Sequence, residues 1–340
     1  MADSCSLVFY NLPMTKVLVL GATGFIGGHI AKAALDEGWK VRGLRRNPES
    51  TGHLQGIPIE WVQGDLNDFD SLVNAMRDCN FIFHAAAYYP KNRNPQKVEG
   101  QIETAKNEIN TVLAATKGAS PKRLIYTSTL TTIGNPPPGR NRLADERDHY
   151  QLGTFPKSGY YETKIVMENR VLEEAAKGTD VVLLNPTAVF GPGDVHITLG
   201  GILLLAAKGY AVGWLPVSTN VVDVRDVAKA HIEAAKRGRS GERYIIGGHN
   251  ATVKELLEIT AKITGARTPM FQIPLGLIDL IVSLGDLLPF LPLPANHLRA
   301  LRHWQGFNTE KAEKELDLKA RPFSDTVQDA LDWFKANGKL

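Results

Sequence analysis

The chain has 340 residues, 43% of them hydrophobic, and 39 basic against 36 acidic side chains leave a formal net charge of +3. Charges of both signs are interspersed without a Lys/Arg block, which excludes a nucleic-acid-binding signature, and two cysteines, Cys5 and Cys79, are too few for a disulfide framework and fit a reducing cytoplasm. No metal-ligand spacing is present, so no metal is expected, and the length suffices for one large α/β domain with a smaller appended lobe.

Residues 1–14 form an N-terminal extension that lacks the basic start and long apolar run of a signal peptide, and Met14 is a candidate natural start. The apolar run Lys16-Val17-Leu18-Val19-Leu20 reads as a strand and leads directly into Gly21, Thr23, Gly24, Phe25, Ile26 and Gly27, with glycines at 21, 24 and 27. Such a turn holds a pyrophosphate: the first glycine allows the tight turn, the second lets backbone approach phosphate, and the third lets the following helix pack against the strand. The helix then offers its N-terminal amides to the anion.

Gly28 to Glu37 reads as that helix, Gly38 ends it, and Trp39 to Leu44 reads as the second strand of a βαβ unit. An NAD-specific protein places Asp or Glu at the end of this strand, whereas here Arg45 and Arg46 stand there, charges that suit a 2′-phosphate. NADP(H) is therefore the expected cofactor ahead of NAD(H), although two arginines at a strand end can also be ordinary solvated loop charges. Ile59 to Gln63, Phe81 to His84, Arg123 to Tyr126 and Val181 to Leu184 are further short strands separated by helical or loop segments. The pattern predicts an α/β fold with a parallel, doubly wound Rossmann sheet.

Ser158-Gly159-Tyr160-Tyr161-Glu162-Thr163-Lys164 opens a helix running to about Ala176, and positions 160 and 164 share one of its faces. An ammonium beside a phenol favours the phenolate, so Tyr160 could exchange a proton near neutral pH, and Lys164 could hydrogen-bond the nicotinamide ribose. A Tyr and a Lys four apart also occur on many solvated helix faces; here they follow a dinucleotide fingerprint and a strand ending Tyr126-Thr127-Ser128-Thr129. After Gly191 the pattern is irregular, and helices dominate from about Val253. Phe271 to Leu293 is strongly apolar, but Asp279, Asp286, Pro289, Pro292 and Pro294 argue against a membrane span, so it reads as a helix and loop over an apolar substrate cavity, with peripheral membrane contact as the alternative. The division expected is 15–190 as the dinucleotide-binding domain, rejoined by 218–248, with 191–217 and 249–340 as a smaller, mostly helical substrate lobe.

With a glycine turn, a hydroxyl-bearing strand end and Tyr-xxx-Lys in this order, the chain resembles the extended short-chain dehydrogenase/reductases over nearly all of residues 15–340. Gly64-Asp65-Leu66 resembles the turn after the third strand, where the family's aspartate meets adenine, and His84-Ala85-Ala86 the segment that lines the cofactor. Tyr126 to Gly134 resembles the stretch whose hydroxyl polarises the substrate carbonyl, which falls here on Thr129. Asn185-Pro186-Thr187 resembles the segment on which the nicotinamide rests. The resemblance implies a mechanism in which Thr129 hydrogen-bonds a developing alkoxide, Tyr160 donates the proton and Lys164 holds the phenol's pKa down. It also implies a homodimer, although monomers exist in this group.

Val41-Arg42-Gly43-Leu44-Arg45-Arg46 and Val222 to Ala228 resemble the dihydroflavonol-reductase-like branch, where Arg46 matches the arginine on the 2′-phosphate. Nucleotide-sugar epimerases usually carry Arg-Asp-Phe where this chain has Ser218-Thr219-Asn220. The chain departs from the family on the helix before Val112: its frequent Asn falls on Ala105 and its Gly on Glu108, leaving Asn107 or water to serve the relay behind Lys164. Tyr88 and Tyr89 either line the substrate cavity or are exposed loop residues; His196 and Trp214 are candidates to touch substrate; Arg225 reads as an ion-pair partner of Asp223 or Glu233, and Cys79 as a small packing residue. The expected activity is NADPH-dependent reduction of an apolar aldehyde or ketone. Alternatives are a sugar-nucleotide epimerase or dehydratase, and a non-catalytic NADP(H) sensor, for which an intact Tyr-xxx-Lys would be superfluous.

Overall fold

A computed structural model describes residues 14–86, 88–90, 95–287 and 303–340. Its centre is a seven-stranded parallel sheet: β1 (Lys16–Leu20), β2 (Lys40–Arg45), β3 (Glu60–Gln63), β4 (Phe81–His84), β5 (Arg123–Thr127), β6 (Val181–Pro186) and β10 (Arg243–Ile246), in the spatial order β10-β6-β5-β4-β1-β2-β3. The doubly wound sheet expected from the alternating strands is present, with β10 added as its outer strand beside β6.

Strand pleating explains how one sheet serves two cores. Val17 and Val19 of β1 project to one side, where α1 (Phe25–Asp36) and α6 (Val224–Arg237) cover them; Leu18 and Leu20 project to the other, against α2 (Phe69–Met76), α3 (Val98–Ala119) and α4 (Gly159–Ala176). All four of these β1 side chains are completely buried, each worth roughly 1.5–3 kcal/mol of transfer free energy.

The chain order reverses between β1 and β4, which are neighbours in the sheet while later strands extend beyond each of them. Open parallel sheets bind ligands at the carboxyl ends of strands beside such a switch point. Gly21 follows β1 there and Ala85 follows β4, and the amide of Ala85 donates to the carbonyl of Leu20 at 2.9 Å.

Beyond the main sheet lie α5 (Gly200–Ala207), α7 (Val253–Thr264), α8 (Leu275–Leu287), α9 (Glu310–Leu316) and α10 (Phe323–Ala336). Two small sheets accompany them: β11 (His249–Thr252), β9 (Ser218–Asp223) and β7 (Ala188–Phe190) form one, and β12 (Phe271–Gln272) with β8 (Gly213–Trp214) the other. The apolar stretch read from sequence forms β12 and α8 up to Leu287; its remainder, with Pro289 and Pro292, lies outside the described residues, as do Cys5 and residues 1–13. Among the described residues no helix is long and apolar enough to cross a membrane.

Candidate active site

The glycine turn after β1 is shaped by its backbone. Gly21 has φ +88°, in the left-handed region, and a Cβ there would come within 2.8 Å of the amide nitrogen of Ala86. A Cβ on Gly27 would fall 2.1 Å from the carbonyl oxygen of Gly21, so only hydrogen lets α1 start this close to the strand. The helix begins with Gly24 as its N-cap, has no side-chain cap and carries no acidic residue in its first turn. Its first amides are left for an anion of the kind a dinucleotide supplies, so the family cofactor fits this cradle.

At the outer end of the crevice the two arginines part. Arg45 packs its guanidinium over the Trp61 ring, 5.1 Å from the centroid, and its Nη1 donates to the Ser50 carbonyl at 3.4 Å. Arg46, the next residue, is exposed and interacts electrostatically with Glu108 of α3. Asp65 uses Oδ1 to accept from the backbone and side-chain amides of Asn67. It is half-buried, and like Arg46 it faces Glu108.

On the inner side, α4 and the segment after β5 converge. Thr129 caps a short 3₁₀ turn, Leu130–Thr132, and its hydroxyl oxygen accepts the Thr131 amide. The hydroxyls of Thr129 and Thr131, 3.4 Å apart, are the polar side chains that act on the Tyr160 phenol. The ammonium of Lys164, one turn along α4, lies 5.8 Å from the centroid of the Tyr160 ring. Thr129, Tyr160 and Lys164 are thus brought together.

One electrostatic expectation is revised. Burial is the dominant influence on Tyr160 and pushes its phenol up, while the hydrogen bonds from Thr129 and Thr131 oppose that shift; Lys164 does not figure among the causes. The lysine itself is pulled down to about 8, chiefly by burial, with Glu108 opposing. The arrangement at neutral pH is therefore a protonated phenol beside a charged amine, which suits a proton donor.

A buried polar network stands directly behind these groups and was not singled out from sequence. Glu168, one turn beyond Lys164 on α4 and 2% exposed, accepts hydrogen bonds from Ser128 and from Thr132 Oγ1 at 2.8 Å. It also accepts from Asn185 Nδ2 at 2.6 Å, and Arg243 of β10 pairs with it at 3.2 Å. Asn185 in turn donates to the Thr129 carbonyl at 3.2 Å, and Pro186 follows as the last residue of β6. One carboxylate thus ties the Thr129 loop to the segment on which a nicotinamide is expected to rest. The helix period points only to Glu168, on the same side of α4 as Tyr160 and Lys164, and not to its partners, which lie on other elements.

The remaining candidates divide. Tyr89 is 59% exposed, yet its ring lies 5.3 Å from that of Tyr160. Tyr88 is half-buried, with its backbone favouring the charged form of Glu108. His196 is exposed, and Trp214 lies under the ammonium of Lys254 at 4.9 Å. Arg225 pairs with Asp223 at 2.7 Å, as expected, and with Asp329 at 2.6 Å. Cys79 is buried against α2. Asn107 is exposed and so cannot serve Lys164 from inside the crevice, a correction to the sequence reading. No group of His, Cys, Asp and Glu among the described residues could hold a metal ion.

Comparison with known proteins gives the family. Residues 17–247 match the model of the NAD dependent epimerase/dehydratase family. A protein of Synechocystis named putative dihydroflavonol 4-reductase is 32% identical over 337 residues, 94% of each chain. Sterol demethylase protein B of Methylococcus capsulatus is 28% identical, covering 95% of this chain and 99% of that protein. Among solved structures, a nucleoside-diphosphate-sugar epimerase from Pseudomonas aeruginosa superposes with a TM-score of 0.82 at 25% identity, covering 96% of this chain and 99% of its own. With its switch-point glycine cradle and a family match across most of its length, the chain belongs to the NAD dependent epimerase/dehydratase family, has the extended short-chain dehydrogenase/reductase fold, and is an NAD(P)-dependent oxidoreductase.

Proposed function

We propose that the protein is an NADPH-dependent reductase that converts an apolar aldehyde or ketone to the alcohol. The observation that carries this reading is the convergence of Thr129, Tyr160 and Lys164, with the Lys164 ammonium 5.8 Å from the Tyr160 ring and burial holding the phenol protonated. A bound nicotinamide supplies the hydride. Thr129 then offers its hydroxyl to the oxygen on which charge develops, and Tyr160 gives that oxygen its proton. Lys164 supplies positive charge next to the phenol as the proton leaves, and can hydrogen-bond the nicotinamide ribose.

Two further features support the cofactor and substrate class. Arg46, the exposed residue just after β2, carries a guanidinium of the kind that pairs with a 2′-phosphate, and Arg45 beside it stacks on Trp61. The region 191–217 with 249–340, which we assign to substrate selection, is rich in apolar surface: Leu277, Leu280, Leu284 and Leu287 of α8 are exposed on one helix face. Relatives named for a dihydroflavonol and a sterol are in keeping with a largely apolar substrate.

Steady-state assays with NADPH against a panel of apolar ketones, aldehydes and sugar nucleotides test the reading. Oxidation of NADPH in proportion to an apolar carbonyl supports it. Cofactor retained through gel filtration, with sugar-nucleotide turnover and no net NADPH oxidation, would replace it with epimerase chemistry, the reading that the Pseudomonas neighbour suggests.

Two expected results follow from the residues. Arg46→Ala weakens NADPH binding, read by quenching of intrinsic fluorescence, by roughly tenfold or more while leaving NADH binding within about twofold, since one charged hydrogen bond contributes ~1.5–3 kcal/mol. Equal loss for both cofactors would remove Arg46 from the 2′-phosphate. The second concerns pH. Lys164 is charged below about 8 and neutral above it, so reductive turnover is expected to hold steady through neutral pH and to fall as pH rises through that value. A rate that stays flat well beyond it would show that the charge is not needed.

A further inference from the structure

Helix α8 is apolar on both of its sides. Ile278 is buried, and Leu275 packs against the cluster that joins Ala206 of α5 to Val253 and Leu257 of α7. On the other side Leu277, Leu280, Leu284 and Leu287 recur at helical spacing and face outward, with Leu287 74% exposed. The small sheet that leads into α8 carries more surface of the same kind. Its strands β8 and β12 run parallel, and the Met270 amide donates to the Val212 carbonyl at 2.8 Å. Tyr210, Val212, Met270 and Phe271 on and beside these strands are exposed, as is Leu205 of α5, whose carbonyl accepts the Tyr210 amide at 2.9 Å. Large apolar side chains exposed together on adjoining elements, rather than scattered singly, point to a docking surface.

The charges around this surface identify its partner. From 199 to 217 and from 259 to 278 the chain has no acidic residue, and its charged residues there are Lys208, Lys262 and Arg267. All three are exposed, and none pairs with an acid among the described residues. Lys208 precedes β8 and Arg267 precedes β12, so the parallel pairing brings both to the same end of the small sheet. Asp279, the first acid along α8, lies off the leucine face by the helix period. Tyr210, 71% exposed, offers an apolar ring with a polar tip, the form that suits a lipid headgroup region. A second copy related by a two-fold axis would set this patch against itself and bring uncompensated cations together. We propose that the leucine face of α8 and the β8–β12 edge form a membrane-docking surface for a bilayer with anionic headgroups, in which the leucines enter the acyl boundary and the three cations meet the headgroups. At 13 residues α8 is too short to span a bilayer and lies along it.

Co-sedimentation of the full chain with large unilamellar vesicles is the test. Vesicles of phosphatidylcholine mixed with phosphatidylglycerol are expected to carry the protein down, and vesicles of phosphatidylcholine alone to carry far less. Replacing Lys208, Lys262 and Arg267 together by alanine weakens binding to the mixed vesicles on the order of a hundredfold, roughly fivefold for each cation removed. Leu280→Glu with Leu284→Glu abolishes it while leaving the circular dichroism spectrum unchanged, since both side chains are exposed. Should that double variant not fold, Leu287→Glu alone takes its place. No sedimentation with either vesicle, equal sedimentation with both, or full binding by a folded leucine variant overturns the proposal. So does a wild-type dimer in light scattering that ignores vesicles and becomes a monomer in the leucine variant, which would assign the face to a second copy of the chain. Vesicle binding needs no particular reaction at Tyr160, so its failure would leave the proposed function standing.

Discussion

Tyr160→Phe is expected to lower carbonyl reduction by ~10²–10⁴-fold, the contribution typical of a positioned proton donor. Phenylalanine keeps the ring, its contact with Tyr89 and its place beside Lys164 while removing the one exchangeable proton. Binding of NADPH is expected to change little, because the glycine cradle and Arg46 are remote from that hydroxyl. A variant that reduces the same carbonyl at the parental rate would mean that the proton comes from water or from another side chain. Thr129→Val is the companion measurement, and a smaller loss is expected there, because the Thr131 hydroxyl also acts on the Tyr160 phenol.

Glu168→Ala is expected to cost roughly 3–5 kcal/mol of stability, the range for removing one partner of a buried ion pair. Glu168 and Arg243 side chains are 3% and 8% exposed, so the guanidinium would be left in the interior facing a void. Ser128, Thr132 and Asn185 would lose their shared acceptor as well. Glu168→Gln retains the shape and one carbonyl acceptor and should fall between wild type and alanine. Urea unfolding measures both, and a loss below about 1 kcal/mol for alanine would show that the network is solvated or relaxes freely. Turnover of the glutamine variant, measured well below its unfolding midpoint, is expected to fall in kcat more than KM rises, since the carboxylate acts through the Thr129 loop and the Asn185 segment rather than on substrate.

The parts of the site that were legible in the sequence are those carried by local pattern. A strand running into glycines at 21, 24 and 27 specifies the cradle almost without tertiary context, because each glycine answers a backbone demand within a few residues. Tyr160 and Lys164 were visible because they share a helix face. Thr129 came only through family resemblance, as its partner in space lies on α4, and no local period links them. The Glu168 network was missed for the same reason: Ser128 follows β5 while Asn185 and Arg243 belong to β6 and β10, and only the fold brings them together.

Other differences follow from the short range of sequence patterns. Arg45 and Arg46 read as a charge pair from the residues alone, and only the family resemblance singled out Arg46; in the structure adjacent residues at the strand end project to different sides, which puts Arg45 on Trp61 and leaves Arg46 exposed. β7 and β9 with β11 form a small sheet of strands three to six residues long whose polar residues, such as the completely buried Asn220, satisfy one another rather than advertising a strand. The Tyr160 shift was misjudged because sequence shows which charges are neighbours but not how much water is removed around them.

The most direct test of the central claim is to follow a deuterium label from the reactive carbon of NADPH during turnover of an apolar ketone. One deuterium is expected on the carbinol carbon of the released alcohol for each cofactor oxidised, and no such product from Tyr160→Phe on the same timescale. Unlabelled product with the cofactor recovered in its original redox state, or a label transferred equally fast by Tyr160→Phe, would contradict it.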